Sequence, residues 1–293
     1  MSKKQIRQII VDLAERLSGK DFLDRSGLSK KHIQMLMNRE HWEEQLPRLI
    51  PMKKRVSCRT IYEICAEPLA LLGREPEDGW MKFTYQYVCH ILYPDPEFTK
   101  ANARFAAGAE FYLAVLQYFF DMERGLFKYD SLYDFGFLPD EEAERFESFE
   151  EYKKFKKIFV REYVYEMMRL NAEVTPFRTL EHIAGVHHVA MTVARGLYAA
   201  GVPIDLTLTS GAGAGHDIGK FGCKPNERVP YLHYYYTNQW FNSHSMEYIG
   251  HIAANHSTWD LEPENLSVES LVLIYADFRV KQSRGEDGRE ITF

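Results

Sequence analysis

Histidines and aspartates in the last third of the chain are the residues whose types and spacing could do chemistry. Most of the eleven histidines lie between His182 and His256, and His216 is followed directly by Asp217. An imidazole nitrogen and a carboxylate oxygen at neighbouring positions offer mixed nitrogen and oxygen ligands to a divalent metal ion. This part of the sequence therefore indicates a metal site.

The helix predicted after Pro176 directs one histidine toward the interior. Offsets of 0, 4, 7, 11 and 15 place on one helical face His182, Val186, Val189, Val193 and Leu197. His182 is therefore predicted to point inward with this apolar stripe. His187 and His188 lie off the stripe, and we interpret them as structural residues or as part of a pocket wall.

Two later segments also place polar residues on apolar faces. Offsets of 0, 3, 7 and 10 place on one face Met246, Ile249, Ala253 and His256. Asp277 shares a stripe with apolar neighbours, and burying an unpaired carboxylate costs several kcal/mol or raises its pKa. A metal cation is the partner that accounts for Asp277 best. His233 lies in an aromatic run. His244 and His251 are predicted surface residues, and the alternative is that one of them takes the place of His233 as a metal ligand.

The small-residue stretch before the His-Asp pair is not a phosphate-binding loop. The P-loop pattern would need Gly at Ala214 and Ser or Thr at Phe221, and a dinucleotide fingerprint from Gly211 would need Gly at His216. Small residues instead allow a neighbouring helix or a ligand to approach closely. The stretch is therefore interpreted as a close packing surface.

Helical signals dominate the elements that must position these residues, so we predict an all-α fold. Ser29 and Ser57 are predicted N-caps of helices that run to about residues 38 and 73. The apolar stretch 102–124 predicts a buried core helix, and the charged stretch 139–170 predicts one long, partly exposed helix. We expect a helical region of unassigned role over 1–170 and the metal-binding domain over 171–293.

Composition excludes several classes of protein. The chain has 293 residues, 45% hydrophobic and 27% charged, which is a globular balance, and its net charge of −6 argues against duplex nucleic acid as a partner. No apolar run approaches the roughly 20 residues of a membrane span. The four cysteines form no CxxC pair and are interpreted as reduced thiols of a cytoplasmic protein. The last residues, GREITF, have a pattern that a further strand or helix should follow, so we expect this sequence to be part of a longer chain.

These residues resemble the H…HD…D signature of the HD-domain metal-dependent phosphohydrolases. His182, the His216-Asp217 pair and Asp277 carry the resemblance, and HDIGK at 216–220 is a common form of the doublet. The resemblance covers roughly residues 176–282. It implies an all-helical domain in which these four side chains hold a divalent ion. Branches with two ions, such as bacterial dinucleoside-tetraphosphate hydrolases, add two histidines, and His233 and His256 fall where those are expected.

The resemblance also implies an activity. It is hydrolysis of a phosphoester or phosphoanhydride bond in a small, nucleotide-like substrate by water activated at one or two divalent ions. Iron or manganese is favoured, and zinc, magnesium, nickel or cobalt are alternatives. Asp217 would bind metal and orient the water, and the phosphate would be bound by Lys220, Arg178 and Arg279. The GYP tripeptide of cyclic-dinucleotide phosphodiesterases is absent.

Two other functions remain open from the sequence, and neither requires turnover. The first is an HD fold that binds metal and senses a nucleotide without hydrolysing it, and the second is a protein-interaction scaffold, which predicts no bound metal. The sequence does not indicate the oligomeric state.

Overall fold

The structure confirms the all-α prediction. It is a computed structural model that describes residues 2–49, 55–126, 130–224, 229–257, 262–280, 282–284 and 290–292. Its α-helices are α1 (Lys3–Leu17), α2 (Lys20–Ser26), α3 (Lys30–Leu36), α4 (Arg39–Gln45), α5 (Cys58–Leu71), α6 (Trp80–Leu92), α7 (Pro96–Asn102), α8 (Ala106–Leu126), α9 (Asp140–Ala143), α10 (Phe149–Arg161), α11 (Val164–Val174), α12 (Thr179–Ala199), α13 (Leu206–Gly215), α14 (Val229–Ser243), α15 (Glu247–Asn255) and α16 (Val268–Arg279).

Short elements complete the regular structure of the described residues. Four 3-10 helices span Leu46–Leu49, Ala103–Phe105, Ile218–Phe221 and Pro263–Asn265. Two strands, β1 (Gln282–Arg284) and β2 (Glu290–Thr292), pair antiparallel, with Gln282 opposite Thr292. Across the ranges that the structure describes, no helix combines the length and apolarity that a membrane crossing needs.

The chain divides into two compact units that are not contiguous in sequence. The first unit comprises Met1–Lys128 and Tyr163–Pro176, and the second comprises Tyr129–Glu162 and Phe177–Phe293. The expected boundary near residue 170 therefore differs from the observed division. Helices α9 and α10 belong to the second unit, whereas α11 belongs to the first.

The long helix expected over 139–170 is instead three helices, α9, α10 and α11. Tyr163, between α10 and α11, has φ 56°, in the left-handed region that a non-glycine residue rarely adopts. Such a residue cannot continue a right-handed helix, so the helical pattern is interrupted there. Periodicity did not predict this break because both helices keep an apolar face on either side of it.

In the first unit, α8 is the buried core helix that the apolar stretch predicts. Residues along nearly its whole length are buried, including the carboxylates of Glu110 and Glu123. Glu110 accepts hydrogen bonds from the hydroxyls of Tyr87 and Tyr163, and Arg169 of α11 donates to Glu123 at 3.2 Å. These partners allow two acidic residues to lie in an otherwise apolar core. Ser29 and Ser57 cap α3 and α5 as predicted.

The burial of Glu166 in α11 predicts that the stability of the protein depends on pH. Glu166 is 2% exposed, and its Oε2 forms no hydrogen bond with any described residue. Burial raises the pKa of Glu166 from its ordinary 4.5 to about 7, although the charge of Arg124 opposes the shift. Between these values the folded chain keeps a proton that the unfolded chain releases, so stability falls as pH rises, by up to about 3 kcal/mol.

Glu166→Gln removes this titration. We expect its gain in unfolding free energy over the parent to grow by up to about 3 kcal/mol between pH 4.5 and pH 8, measured by urea denaturation. The matched control is the same change at Glu63, which is exposed on α5. A gain for Glu166→Gln that is equal at the two pH values would contradict this account.

In the second unit, α12, α13, α15 and α16 pack around one another, and small residues allow the close approach. Gly215 at the end of α13 faces Phe241, whose ring atom would lie 2.6 Å from an added Cβ. Gly185 of α12 faces Val280 in the same way, at 2.7 Å. The glycine and alanine residues before the His-Asp pair therefore serve helix packing, as their size predicts.

Candidate metal centre

The six side chains predicted as metal ligands lie together in the second unit. They come from α12, the turn after α13, α14, the C-terminal end of α15, and α16. Their ligand atoms form two groups that share Asp217. The first ligand group is His182, His216 and Asp217 with Asp277 beside them, and the second ligand group is Asp217, His233 and His256.

In the first ligand group, two carboxylates face two imidazoles. Asp217 Oδ2 lies 3.3 Å from His182 Nε2 and 3.5 Å from His216 Nε2. Asp277 Oδ1 lies 3.1 Å and 3.7 Å from the same two nitrogens. Two nitrogen and two oxygen donors therefore surround one small space, which is a donor set that suits a divalent transition metal.

The second ligand group uses the other oxygen of the shared carboxylate. Asp217 Oδ1 lies 3.7 Å from the Nε2 atoms of both His233 and His256, and these two nitrogens are 3.1 Å apart. Asp217 therefore turns one oxygen toward each group. A single carboxylate placed in this way could bridge two ions.

Backbone carbonyls fix the orientation of three of the imidazoles. The Nδ1 atoms of His182, His216 and His256 lie 3.0, 3.0 and 2.6 Å from the carbonyl oxygens of Val280, Gly213 and Ala253. A carbonyl oxygen only accepts, so each Nδ1–H donates, and Nε2 faces the cluster. Donation from the second ring nitrogen is the usual support for a metal-bound histidine.

The Nε2 atom of His216 has no hydrogen-bond partner among the described residues, although it is buried. Because its Nδ1 donates to a carbonyl, Nε2 directs a lone pair at the oxygens of Asp217 and Asp277. Lone pairs that converge at this distance repel unless a cation lies between them. A metal ion would supply that cation, so the residues present fit a divalent metal.

The surroundings of His216 and His256 keep their rings neutral, and those of Asp217 and Asp277 keep their carboxylates ionised. These are the protonation states in which such side chains bind metal. Burial lowers the pKa of His216 to about 3 and also lowers the pKa of His256, so both rings are neutral near pH 7. Burial opposes ionisation of Asp217 and Asp277, but their pKa values are nevertheless lowered. Lys220 and a hydrogen bond from His182 outweigh burial for Asp217, and a hydrogen bond from His182 does so for Asp277.

His182 behaves differently from the other two histidines. Burial lowers its pKa, but hydrogen bonds to Asp217 and Asp277 outweigh burial and raise the pKa to about 9. The metal-free protein therefore carries a proton on His182 at neutral pH. Metal binding would have to release this proton, because a histidine binds metal as the neutral ring.

Gly219 and Thr237 hold the His-Asp turn against α14, and sequence reasoning did not single out either residue. The amide of Gly219 donates to Thr237 Oγ1 at 3.0 Å, and that hydroxyl donates to the carbonyl of His216 at 3.0 Å. A Cβ at Gly219 would lie 1.7 Å from the carbonyl oxygen of His233. The only sequence signal was the glycine in HDIGK, whose packing partner lies on another helix.

The structure separates Lys220 from the two arginines predicted as phosphate ligands. The Lys220 ammonium pairs with Asp217 Oδ2 at the edge of the first ligand group. Arg178 is exposed and pairs with Glu181 at 3.4 Å, and Arg279 is also exposed. No described contact joins either arginine to the six clustered side chains, so a role in phosphate binding stays a prediction for them.

Of the remaining histidines, His187 lies off the predicted stripe and is nevertheless buried, as the structural interpretation requires. It is 1% exposed, its Nε2 lies 2.9 Å from Ser210 Oγ, and burial lowers its pKa to about 3. Because α13 and α16 both pack on α12, the buried face is wider than the predicted stripe. His244 pairs with Glu162 at 2.6 Å and His251 is exposed, so His233 joins the cluster rather than either alternative.

Comparison with known proteins yields no relative. No protein-family model, no curated protein and no solved structure matches this chain. The function proposed for the site therefore depends on the geometry and charge of its own residues.

Proposed function

We propose that this protein is a metal-dependent phosphohydrolase or phosphodiesterase of the HD-domain kind, acting on a small, nucleotide-like phosphate compound. The observation that carries the proposal is the shared carboxylate of Asp217. It turns one oxygen to each of two groups of Nε2 atoms. One of these atoms, Nε2 of His216, is buried and has no hydrogen-bond partner in the described part of the chain. This arrangement is costly without cations and well suited to holding them.

Each ligand would have a distinct role in that activity. His182, His216, Asp217 and Asp277 would hold one ion, and Asp217, His233 and His256 would hold a second. A divalent ion bound there lowers the pKa of water and neutralises charge that develops on phosphoryl oxygens. The mixed nitrogen and oxygen donor set favours iron or manganese and also admits zinc, nickel, cobalt or magnesium.

The residues around the ions would bind and orient the reactants. Asp217 stays ionised because Lys220 and a hydrogen bond from His182 hold its pKa low against burial, so it can accept a hydrogen bond from an attacking water. Lys220 carries a positive charge at the edge of the cluster and its side chain reaches solvent, so it can bind a phosphate oxygen.

The direct test combines metal content with turnover. We expect protein purified without added metal to contain one or two divalent ions per chain and to release phosphate or a nucleoside monophosphate from members of a nucleotide panel. Nucleotide binding with metal but no product would favour the sensor function instead. Protein that contains no metal and acquires none on dialysis against Mn²⁺, Fe²⁺ or Zn²⁺ would contradict the proposal.

The second ligand group has its own prediction. His256→Ala removes one of its two imidazoles, and we expect the metal content to fall by about one ion per chain, because a single histidine and a shared carboxylate are too few ligands. Elemental analysis after dialysis against saturating Mn²⁺ measures this. The matched control is His251→Ala, which removes an exposed histidine from the neighbouring α15 turn. Unchanged metal content in His256→Ala would exclude this residue as a ligand.

A further inference from the structure

Lys220 makes an ion pair with the very oxygen that the first ligand group would use to bind metal. It lies in the 3-10 helix Ile218–Phe221, and its Nζ contacts Asp217 Oδ2. The same oxygen is the one that faces His182 Nε2 at 3.3 Å and His216 Nε2 at 3.5 Å. The other oxygen, Oδ1, faces the second ligand group. Lys220 therefore places a positive charge at the first ligand group and not at the second.

The burial of the two partners is unequal, and this inequality matters for what the pair can do. The side chain of Asp217 is 1% exposed, whereas that of Lys220 is 37% exposed. A carboxylate this deeply buried needs a cation to stay ionised, and the lysine supplies one in the metal-free protein. A flexible side chain with access to solvent can also leave at little cost.

We propose that Lys220 is an internal counter-ion that occupies the first ligand group in the metal-free protein and must be displaced from Asp217 Oδ2 by the incoming metal ion. Two cations on one carboxylate oxygen repel each other, so Lys220 and the metal ion compete. Lys220 thereby stabilises the empty site and weakens its metal affinity. It becomes available to an anionic substrate only once the first ligand group is filled, so substrate binding depends on metal binding.

This inference rests on the proposed metal site and goes further, because it assigns Lys220 a role in the absence of substrate. It predicts opposite effects of one substitution on two measurements. Lys220→Met keeps the length of the side chain and removes its charge. The metal-free variant should unfold at a lower temperature, since the buried carboxylate loses one of its two cations and keeps only the protonated His182. Its first ligand group should bind metal about 10-fold more tightly, since the competitor is gone.

The experiment uses the full chain carrying His256→Ala, so that only the first ligand group binds strongly. Metal is stripped with a chelator, and Mn²⁺ is titrated by calorimetry into the Lys220 parent, Lys220→Met and Lys220→Arg. Arginine keeps the charge and should leave the Mn²⁺ affinity near that of the parent. The matched control is Lys157→Met on the exposed face of α10. Thermal unfolding of each protein is recorded with and without Mn²⁺.

The expected result is tighter Mn²⁺ binding, a lower metal-free unfolding temperature and a larger Mn²⁺-induced rise for Lys220→Met alone. A Met variant that folds only when Mn²⁺ is present would support the proposal equally. If the parent binds Mn²⁺ and Lys220→Met binds it with equal or weaker affinity, the role of Lys220 is overturned and the proposed function stands. If neither protein binds Mn²⁺, both the proposed metal site and this inference are overturned.

Discussion

Asp217→Asn should abolish binding at both ligand groups and reduce phosphate release by on the order of 10²–10³-fold or more. Asp217 is the only one of the six side chains that belongs to both groups. The amide is similar in shape, but it carries no charge, and its NH₂ group would face the Nε2 atoms of one group without being able to bind an ion. No other substitution at the centre should remove both ions.

The measurement is elemental analysis after dialysis against Mn²⁺, together with phosphate release from the best member of a nucleotide panel. Asp277→Asn is the matched control, because Asp277 contacts His182 and His216 and belongs to the first ligand group alone. We expect Asp277→Asn to keep the ion of the second group. Circular dichroism shows whether each variant is helical. Retention of both ions by folded Asp217→Asn would contradict the bridging role.

Gly219→Ala should damage the centre without replacing any of the six predicted ligands. The added Cβ would lie 1.7 Å from the carbonyl oxygen of His233 and 2.5 Å from the amide of Thr237. Both are backbone atoms, so a rotamer change cannot relieve the clash, and the turn must move away from α14. We expect a loss of about 1–3 kcal/mol or more in unfolding free energy. We also expect metal affinity at the second ligand group to fall by about 10–100-fold.

Gly196→Ala on α12 separates this effect from the general effect of replacing glycine. An added Cβ at Gly196 would meet nothing within 4 Å, and alanine favours a helix over glycine by up to about 1 kcal/mol. We therefore expect Gly196→Ala to be neutral or slightly stabilising, with unchanged metal content. Urea denaturation and Mn²⁺ titration of the two variants make the comparison. A Gly219→Ala protein with the stability and metal content of the parent would show that the turn tolerates the clash.

Features that depend on residues close together in the sequence were predictable, whereas features that depend on residues far apart in the sequence were not. Helix caps at Ser29 and Ser57 and the apolar length of α8 depend on neighbours a few residues away, and these predictions are confirmed. The left-handed backbone at Tyr163 interrupts a pattern that stays periodic on both sides, so it was missed. The burial of His187 did not follow from the stripe, because one stripe cannot show that two helices pack on α12.

By itself the sequence determined the helical class, because periodicity, capping and residue type are local properties, and the resemblance to the H…HD…D signature supplied the candidate ligands. Only the tertiary structure decided that side chains as far apart as His182 and Asp277 share one space, and which oxygen of Asp217 faces which group. It also placed the Lys220 ammonium on that carboxylate and Gly219 against the backbone of α14. These contacts join segments that are distant in sequence, so their geometry follows from helix packing, which no local pattern records.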